Sequence, residues 1–441
     1  MALIVLLTLA PAHAENVAAI NWQPSSGVAL NMPDDPHGAI PKLLSQTGAF
    51  EDVHNLTPNA RLIPYDLNIS FWSDGAEKAR WIALPYRDGT LPEKIDFAVT
   101  GEWTFPAGTI FVKHFELGTD ESQPALRRRL ETRLIVRTSA GGVYGVTYKW
   151  RPDNSDADLL DTKLTEPITI TTAKGPRTQN WYYPSREDCL TCHSANAGLI
   201  LGVKTRQLNR EFTYPSGITN NELREWDRLG LFSTSLAAAD FSTLPKLAKA
   251  DDLSHSIEDR ARSYLDANCA HCHRPKGTVA NFDARYDTPL DAQNLIDGNV
   301  LIDQRIDNPR VIAPNDIWRS ILYMRASSMA DFRMPPLAHN EPDVKDIALL
   351  REWIESMPGP HVVPPPDISP AGGNYTKSIT ITLKSEPDAT IRYTLDGTVP
   401  TRKDLLYEEP VTITGPTILR AKAYKKGCTS SITAQQIYIV N

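Results

Sequence analysis

The sequence predicts a multidomain chain: a β-rich N-terminal domain, a mainly α middle region and a C-terminal β-sandwich. Three observations point there. Short alternating apolar and polar runs broken by Pro and Gly precede Pro184. Helical stripes follow near positions 257 and 344, and three consecutive prolines, Pro364-Pro365-Pro366, separate them from a second set of alternating runs. At 441 residues and 49.0 kDa, the chain is too long for one ordinary core.

Met1-Ala-Leu-Ile-Val-Leu-Leu-Thr-Leu-Ala10 followed by Ala12-His13-Ala14 reads as a signal peptide over residues 1–14, so the expected address is periplasmic or extracellular. Residues 21–184 form the β-rich domain. Leu130–Thr138 and Val143–Trp150 flank Ser139-Ala140-Gly141-Gly142 as a hairpin, with further strands at Thr109–Phe115 and Pro167–Thr172. Residues 185–243 are mixed, with Thr219-Asn-Asn-Glu222 as a capping box ahead of Leu223, Trp226 and Leu229. Over 251–357, Ser256-Ile-Glu-Asp259 caps a helix through Ala261, Tyr264 and Leu265. Val344, Ile347, Leu350 and Ile354 make one apolar stripe at the far end. Residues 358–366 are a Pro-rich linker. The segment 367–441 alternates at Ile379–Leu383, Ala389–Leu395 and Ile418–Tyr424, as a small sandwich does.

Composition excludes some functions. Lys plus Arg total 46 against 53 Asp plus Glu, a net charge of −7, so the chain lacks the clustered cations that nucleic acid requires. Arg127-Arg128-Arg129 is the one compact basic run and reads as a solvated strand edge. No segment after the signal is long and apolar enough to span a bilayer. Asp153-Asn-Ser-Asp156-Ala-Asp158 lacks the glycine and terminal Glu of a calcium loop and reads as a turn. No residue set reads as catalytic. Cys428 reads as an inert buried thiol.

Chemistry concentrates in two copies of Cys-x-x-Cys-His: Cys189-Leu-Thr-Cys192-His193 and Cys269-Ala-His-Cys272-His273. Two thiols can add to the two vinyl groups of a haem, and the adjacent His then reaches the iron, so the motif predicts two covalently attached c-type haems. His fills only 10 of 441 positions, which makes its chance recurrence after both pairs improbable. A Cys₄ zinc site would want its pairs about 15–20 residues apart, far closer than these. Met334, held in Arg333-Met-Pro-Pro-Leu337, is the expected sixth ligand opposite His273; Met324 and Met329 are the neighbouring alternatives. For the iron above His193 no Met loop follows. His255 and His114 are the leading distal candidates, with His37, His54, His339 and Met32 behind them.

Glu258-Asp-Arg-Ala-Arg-Ser-Tyr-Leu-Asp-Ala-Asn-Cys-Ala-His-Cys-His-Arg-Pro275, with Arg333–Leu337 and the helix ending Leu350-Arg-Glu-Trp-Ile354, resembles a class I cytochrome c domain. With Trp72-Ser-Asp-Gly-Ala76, Glu131-Thr-Arg-Leu134 and Pro184–His193, most of residues 40–357 resembles a family of exported bacterial dihaem c-type cytochromes. The resemblance implies Cys269, Cys272, His273 and Met334 at one haem and Cys189, Cys192 and His193 at the other. Ile391-Arg-Tyr-Thr-Leu-Asp-Gly-Thr398 through Ile437-Tyr-Ile-Val440 is similar to the immunoglobulin-like C-terminal module of chitobiases and β-hexosaminidases, which implies a spacer or a carbohydrate or cell-surface contact.

The expected function is electron transfer with redox partner proteins, the protein supplying axial ligands and burial. The rivals are a dihaem peroxidase-like oxidoreductase with an open first haem, and a cytochrome subunit of an exported dehydrogenase.

Overall fold

The computed structural model describes residues 29–86, 92–337 and 339–440; the signal-peptide reading at 1–14 lies outside them. The chain opens with a small ladder, β1 (Phe50–Asp52) on β2 (Thr57–Pro58). A six-stranded antiparallel meander follows in chain order: β3 (Ile63–Tyr65), β4 (Glu77–Ala83), β5 (Ile110–Gly118), β6 (Arg127–Arg137), β7 (Val143–Trp150) and β8 (Ala157–Leu159). The hairpin expected around Ser139–Gly142 is β6–β7, closed where Thr138 N–H donates to the Gly142 carbonyl. β9 (Leu164–Thr172) and β10 (Gly175–Tyr183) form a separate hairpin.

Alternation gives the meander two packed faces. One buries Trp81, Val112, Leu134, Val146 and Tyr148 under the N-terminal segment. The other carries Ile82, Phe111 and Ile135 and packs on Cys189, Trp103 and Trp226 from the middle region. Fully burying a ring such as Trp226 contributes about 1.5–3 kcal/mol, so this second face is the seam joining the two regions.

The mainly α middle region is overturned. The protein is 31 % strand and 15 % helix, with six helices among the described residues. These are α1 (Arg186–Cys192), α2 (Thr205–Leu208), α3 (Glu222–Arg228), α4 (Ile257–Asn268), α5 (Ile321–Ser327) and α6 (Val344–Ser356), with a short ladder of β11 (Glu211–Thr213) and β12 (Thr219–Asn221) before α3. Between α4 and α5 the backbone turns repeatedly through left-handed positions at Lys276, Asn294, Asp297, Gln304, Arg305, Asn308 and Asn315. Asn and Asp tolerate that conformation and break helices, so the long connection folds as turns around the α4–α6 core.

Two local expectations also shift. α3 is capped by Asn221, whose side chain accepts from the Leu223 and Arg224 amides, while Thr219 lies in β12. Val344 faces solvent, and Ile347, Leu349, Leu350, Trp353 and Ile354 make the buried face of α6. The cap of α4 is Ser256, as expected.

The C-terminal sandwich stacks a three-stranded sheet, β13 (Asp367–Ser369), β15 (Ile379–Lys384) and β18 (Val411–Ile413), on a five-stranded one. The latter holds β14 (Gly373–Tyr375), β16 (Thr390–Thr394), β17 (Leu405–Leu406), β19 (Thr417–Tyr424) and β20 (Ala434–Val440). Val363, from the Pro-rich stretch, is wholly buried in its core and donates its N–H to the Thr429 carbonyl.

Candidate functional site

The first Cys-x-x-Cys-His motif folds as the last turn of α1, and the second as the turn that follows α4. α1 ends on Cys192 with His193 as its C-cap, and the His193 amide donates to the Cys189 carbonyl at 3.0 Å. α4 ends at Asn268, and the His273 amide donates to the Cys269 carbonyl at 2.8 Å. This geometry puts both cysteines and the histidine of each motif on one side of the turn.

The two turns face one cavity. Its volume, counted to the open mouth, is about 1570 Å³, and its wall includes Cys189, Cys192, His193, Cys269, Cys272, His273 and Met334. The Sγ atoms of Cys192 and Cys272 and a ring nitrogen of His271 lie within 4.8 Å of one another. No disulfide joins any of the five cysteines. A hydrogen bond between these two sulfurs of Cys192 and Cys272 raises the Cys192 pKa and lowers that of Cys272. Burial pushes Cys189 up to about 11 and Cys269 up to about 12.

Contacts far apart in sequence hold the turns together. Arg274 donates to Glu102 at 2.7 Å and to the Asn196 carbonyl at 2.9 Å; the Asn196 amide in turn donates to the Lys276 carbonyl. The Trp72-Ser-Asp-Gly75 segment fastens the β domain to the other side. Trp72 N–H donates to Asn268 Oδ1 at 2.8 Å and its indole to the Glu341 carbonyl. The Asp74 carboxylate accepts from the Asn340 and Glu341 amides.

The residues fit a tetrapyrrole bound through thiols and imidazole. His193 Nδ1 lies 2.7 Å from the Leu199 carbonyl and donates to it, so Nε2 is the nitrogen left for a ligand. His273 stacks on Phe282 at 4.4 Å, and its Nδ1 is buried with no partner among the described residues. Burial pushes both rings down to about 4, so both are neutral at pH 7, the state that binds metal. The strand also leaves room. A Cβ on Gly145 of β7 would stand 2.6 Å from Cys189 Sγ, so only glycine lets α1 sit this close.

The distal candidates separate. Met334 lines the cavity within its Pro335–Leu337 loop. His114 does not: on β5 it points to the opposite sheet face, bonds Thr132 at 2.8 Å and packs against Trp150. His255 is exposed beside Asp252. Met32 packs in the N-terminal core, and His37 and His54 lie in exposed turns. His339 is buried, with Nδ1 unpartnered among the described residues, beside the Met334 loop. The carboxylates of the 153–158 turn are taken by Ser155, Ser45 and Arg151. Cys428 is half-buried against the sandwich core.

Sequence reasoning missed His271 and Lys113 as cavity residues and Gly145 as the strand position that admits α1. A glycine inside the strand Val143–Trp150 was the readable signal for the last.

Comparison with known families adds one finding. Residues 370–435 match the chitobiase/beta-hexosaminidase C-terminal domain. The match covers the sandwich alone, and no cytochrome c family is found for the rest of the chain. No curated protein and no solved structure matches. No helix among the described residues is long and apolar enough to cross a membrane.

Proposed function

We propose that this chain is an exported electron-transfer protein that carries two covalently attached c-type haems, one on each Cys-x-x-Cys-His turn. The observation that carries this reading is the meeting of two such turns, each with a neutral, half-buried imidazole, across one cavity. Cys189 and Cys192 would hold one group and Cys269 and Cys272 the other, with His193, His273 and Met334 as iron ligands. When bound, the haems supply one-electron chemistry. The chain's own residues bind, orient and bury them. The Leu199 carbonyl fixes the His193 ring, Phe282 fixes the His273 ring, and the Pro335-Pro336 step holds the Met334 thioether at the wall. The adjacency of Cys192 and Cys272 supports direct relay between the two groups. The C-terminal module then serves as a docking appendage for carbohydrate or a cell surface, and a redox protein partner exchanges the electrons.

The test is intact mass with absorption and EPR spectra, oxidised and reduced, with and without CO, on protein made in a host that attaches haem. Two haems per chain with low-spin irons support relay. An unmodified polypeptide carrying zinc on Cys192, His271 and Cys272 overturns the reading. The placement of His114 and His255 away from the cavity favours one second reading, a peroxidase-like enzyme with an open first iron. A CO-induced shift from one haem would select it.

A further inference from the structure

One part of the cavity wall is a row of cations. In the meander Arg80 pairs in register with Lys113, and Lys113 with Arg133, so three adjacent strands point three positive side chains at one face. All three line the cavity. The two arginines are neutralised. Arg80 donates to Asp66 at 2.5 Å and to Ser70 at 2.6 Å. Arg133 makes a two-pronged pair with Glu131 at 2.6 and 2.8 Å.

Lys113, between them, is different. Its Nζ rests 5.0 Å from the centre of the Phe115 ring, and no hydrogen bond or ion pair joins it among the described residues. The nearby carboxylates cannot serve it. Glu131 is held by Arg133 and by the Trp181 indole at 3.0 Å, and Asp66 by Arg80 and Arg210. A cation flanked by two others at a low-dielectric wall is costly unless an anion joins it. Its burial and its neighbours Arg80, Lys78 and Arg133 press its pKa well below the usual lysine range, which Glu131 opposes only weakly.

We propose that Lys113, braced by Arg80 and Arg133, is the seat of a carboxylate or small oxyanion bound inside the cavity. Two sources supply that chemistry: the propionate carboxylates of an attached haem, which rests on the preceding reading, and a free anion entering from solvent, which does not. A charge-assisted bond to Lys113 would satisfy the one wall cation that the fold leaves unmatched.

The experiment compares the fully loaded wild type with Lys113→Gln, Lys113→Met and Lys113→Arg. Intact mass first counts haems, so a failure of the haem reading is seen separately. Sodium acetate and sodium nitrite are then titrated by calorimetry against sodium chloride. A free-anion site predicts binding by the wild type, about tenfold weaker in Lys113→Gln and Lys113→Met and restored in Lys113→Arg. A propionate occupant predicts no binding of added anion. Instead the propionate bending band in resonance Raman moves and one midpoint potential falls in the neutral variants, and both return in Lys113→Arg. Anion binding equal in wild type and Lys113→Gln overturns the proposal. So does the absence of both anion binding and a spectral change. If the neutral variants fail to fold, the wild type still decides: a wild type that binds neither acetate nor nitrite, and whose propionate bending band lies where an unpaired propionate absorbs, rejects it.

Discussion

The thiols of Cys192 and Cys272 lie within 4.8 Å of each other although eighty residues separate them in the chain. Each motif therefore turns its second sulfur toward the other motif. In protein made without haem, the thiol-specific oxidant diamide should take the two thiol hydrogens and leave a Cys192–Cys272 bond. A non-reducing peptide map checks it. Crosslinks confined to Cys189–Cys192 and Cys269–Cys272 would mean that the two turns do not meet.

Gly145 sets how closely α1 approaches the sheet. A side chain there meets Cys189 Sγ at 2.6 Å, Cys189 Cβ at 2.8 Å and Ile135 Cδ1 at 2.9 Å, and none of these can retreat from a packed face. Gly145→Val should cost about 1–3 kcal/mol in urea unfolding and lower haem attachment at the first motif while sparing the second. Equal occupancy of both motifs by peptide mass would show that α1 is held by other contacts.

Among the described residues, Met334 is the one methionine in the cavity wall. Replacing its thioether with a methyl group should remove a sixth ligand, change the low-spin spectrum of one haem and lower one midpoint potential, because Met/His ligation raises it. An unchanged spectrum and potential in Met334→Ala would transfer the role to a different residue, with His339 the next to test.

What was legible follows from the range of the forces involved. The β6–β7 hairpin and β5, β15 and β19 announce themselves because strand alternation and turn residues are local signals. The two Cys-x-x-Cys-His turns were equally plain, since their chemistry is written within five residues. Their meeting was not, because it depends on Arg274 reaching Glu102 and Asn196, and on Asp74 reaching Asn340, across more than seventy residues in each case. The helical reading of 251–357 was right at its two ends and failed between them. There Asn and Asp sit at left-handed positions that no apolar stripe reveals. His114 was misplaced as a ligand candidate for a simpler reason: a strand sends neighbours to opposite faces, so Lys113 took the cavity side.

The start of α6 carries an electrostatic cost. Asp343 caps the helix by accepting from the Asp346 amide, and the Asp346 carboxyl lies in the same first turn. Burial and then the Asp343 charge hold the Asp346 pKa above the usual carboxylate range. The folded chain therefore keeps a proton that the unfolded chain has already lost, so stability declines as pH climbs from about 4 toward neutrality. Asp346→Asn removes the charge without removing the amide that donates to Asp343. It should flatten this part of the pH profile and raise stability at pH 7.5 by about 1 kcal/mol, with no gain at pH 4. A gain of equal size at both pH values would assign the effect to packing.

Asp307 joins the sandwich to the middle region. Its carboxylate accepts from Lys422 Nζ at 2.7 Å and Thr433 Oγ1 at 2.9 Å, and beside it Arg319 donates to the Ser430 and Ser431 carbonyls. Lys422 and Asp307 are 14 % and 19 % exposed, so loss of either leaves a poorly hydrated charge on its partner. Asp307→Ala should weaken docking of the module by about 1–3 kcal/mol while leaving its own core, built on Val363, Ile381, Leu419 and Tyr438, intact. Limited proteolysis checks this. Cleavage within 358–366 should quicken, and a stable fragment beginning near Val362 should accumulate. Unchanged cleavage would mean that the Arg319 contacts and the buried valines hold the module in place without Asp307.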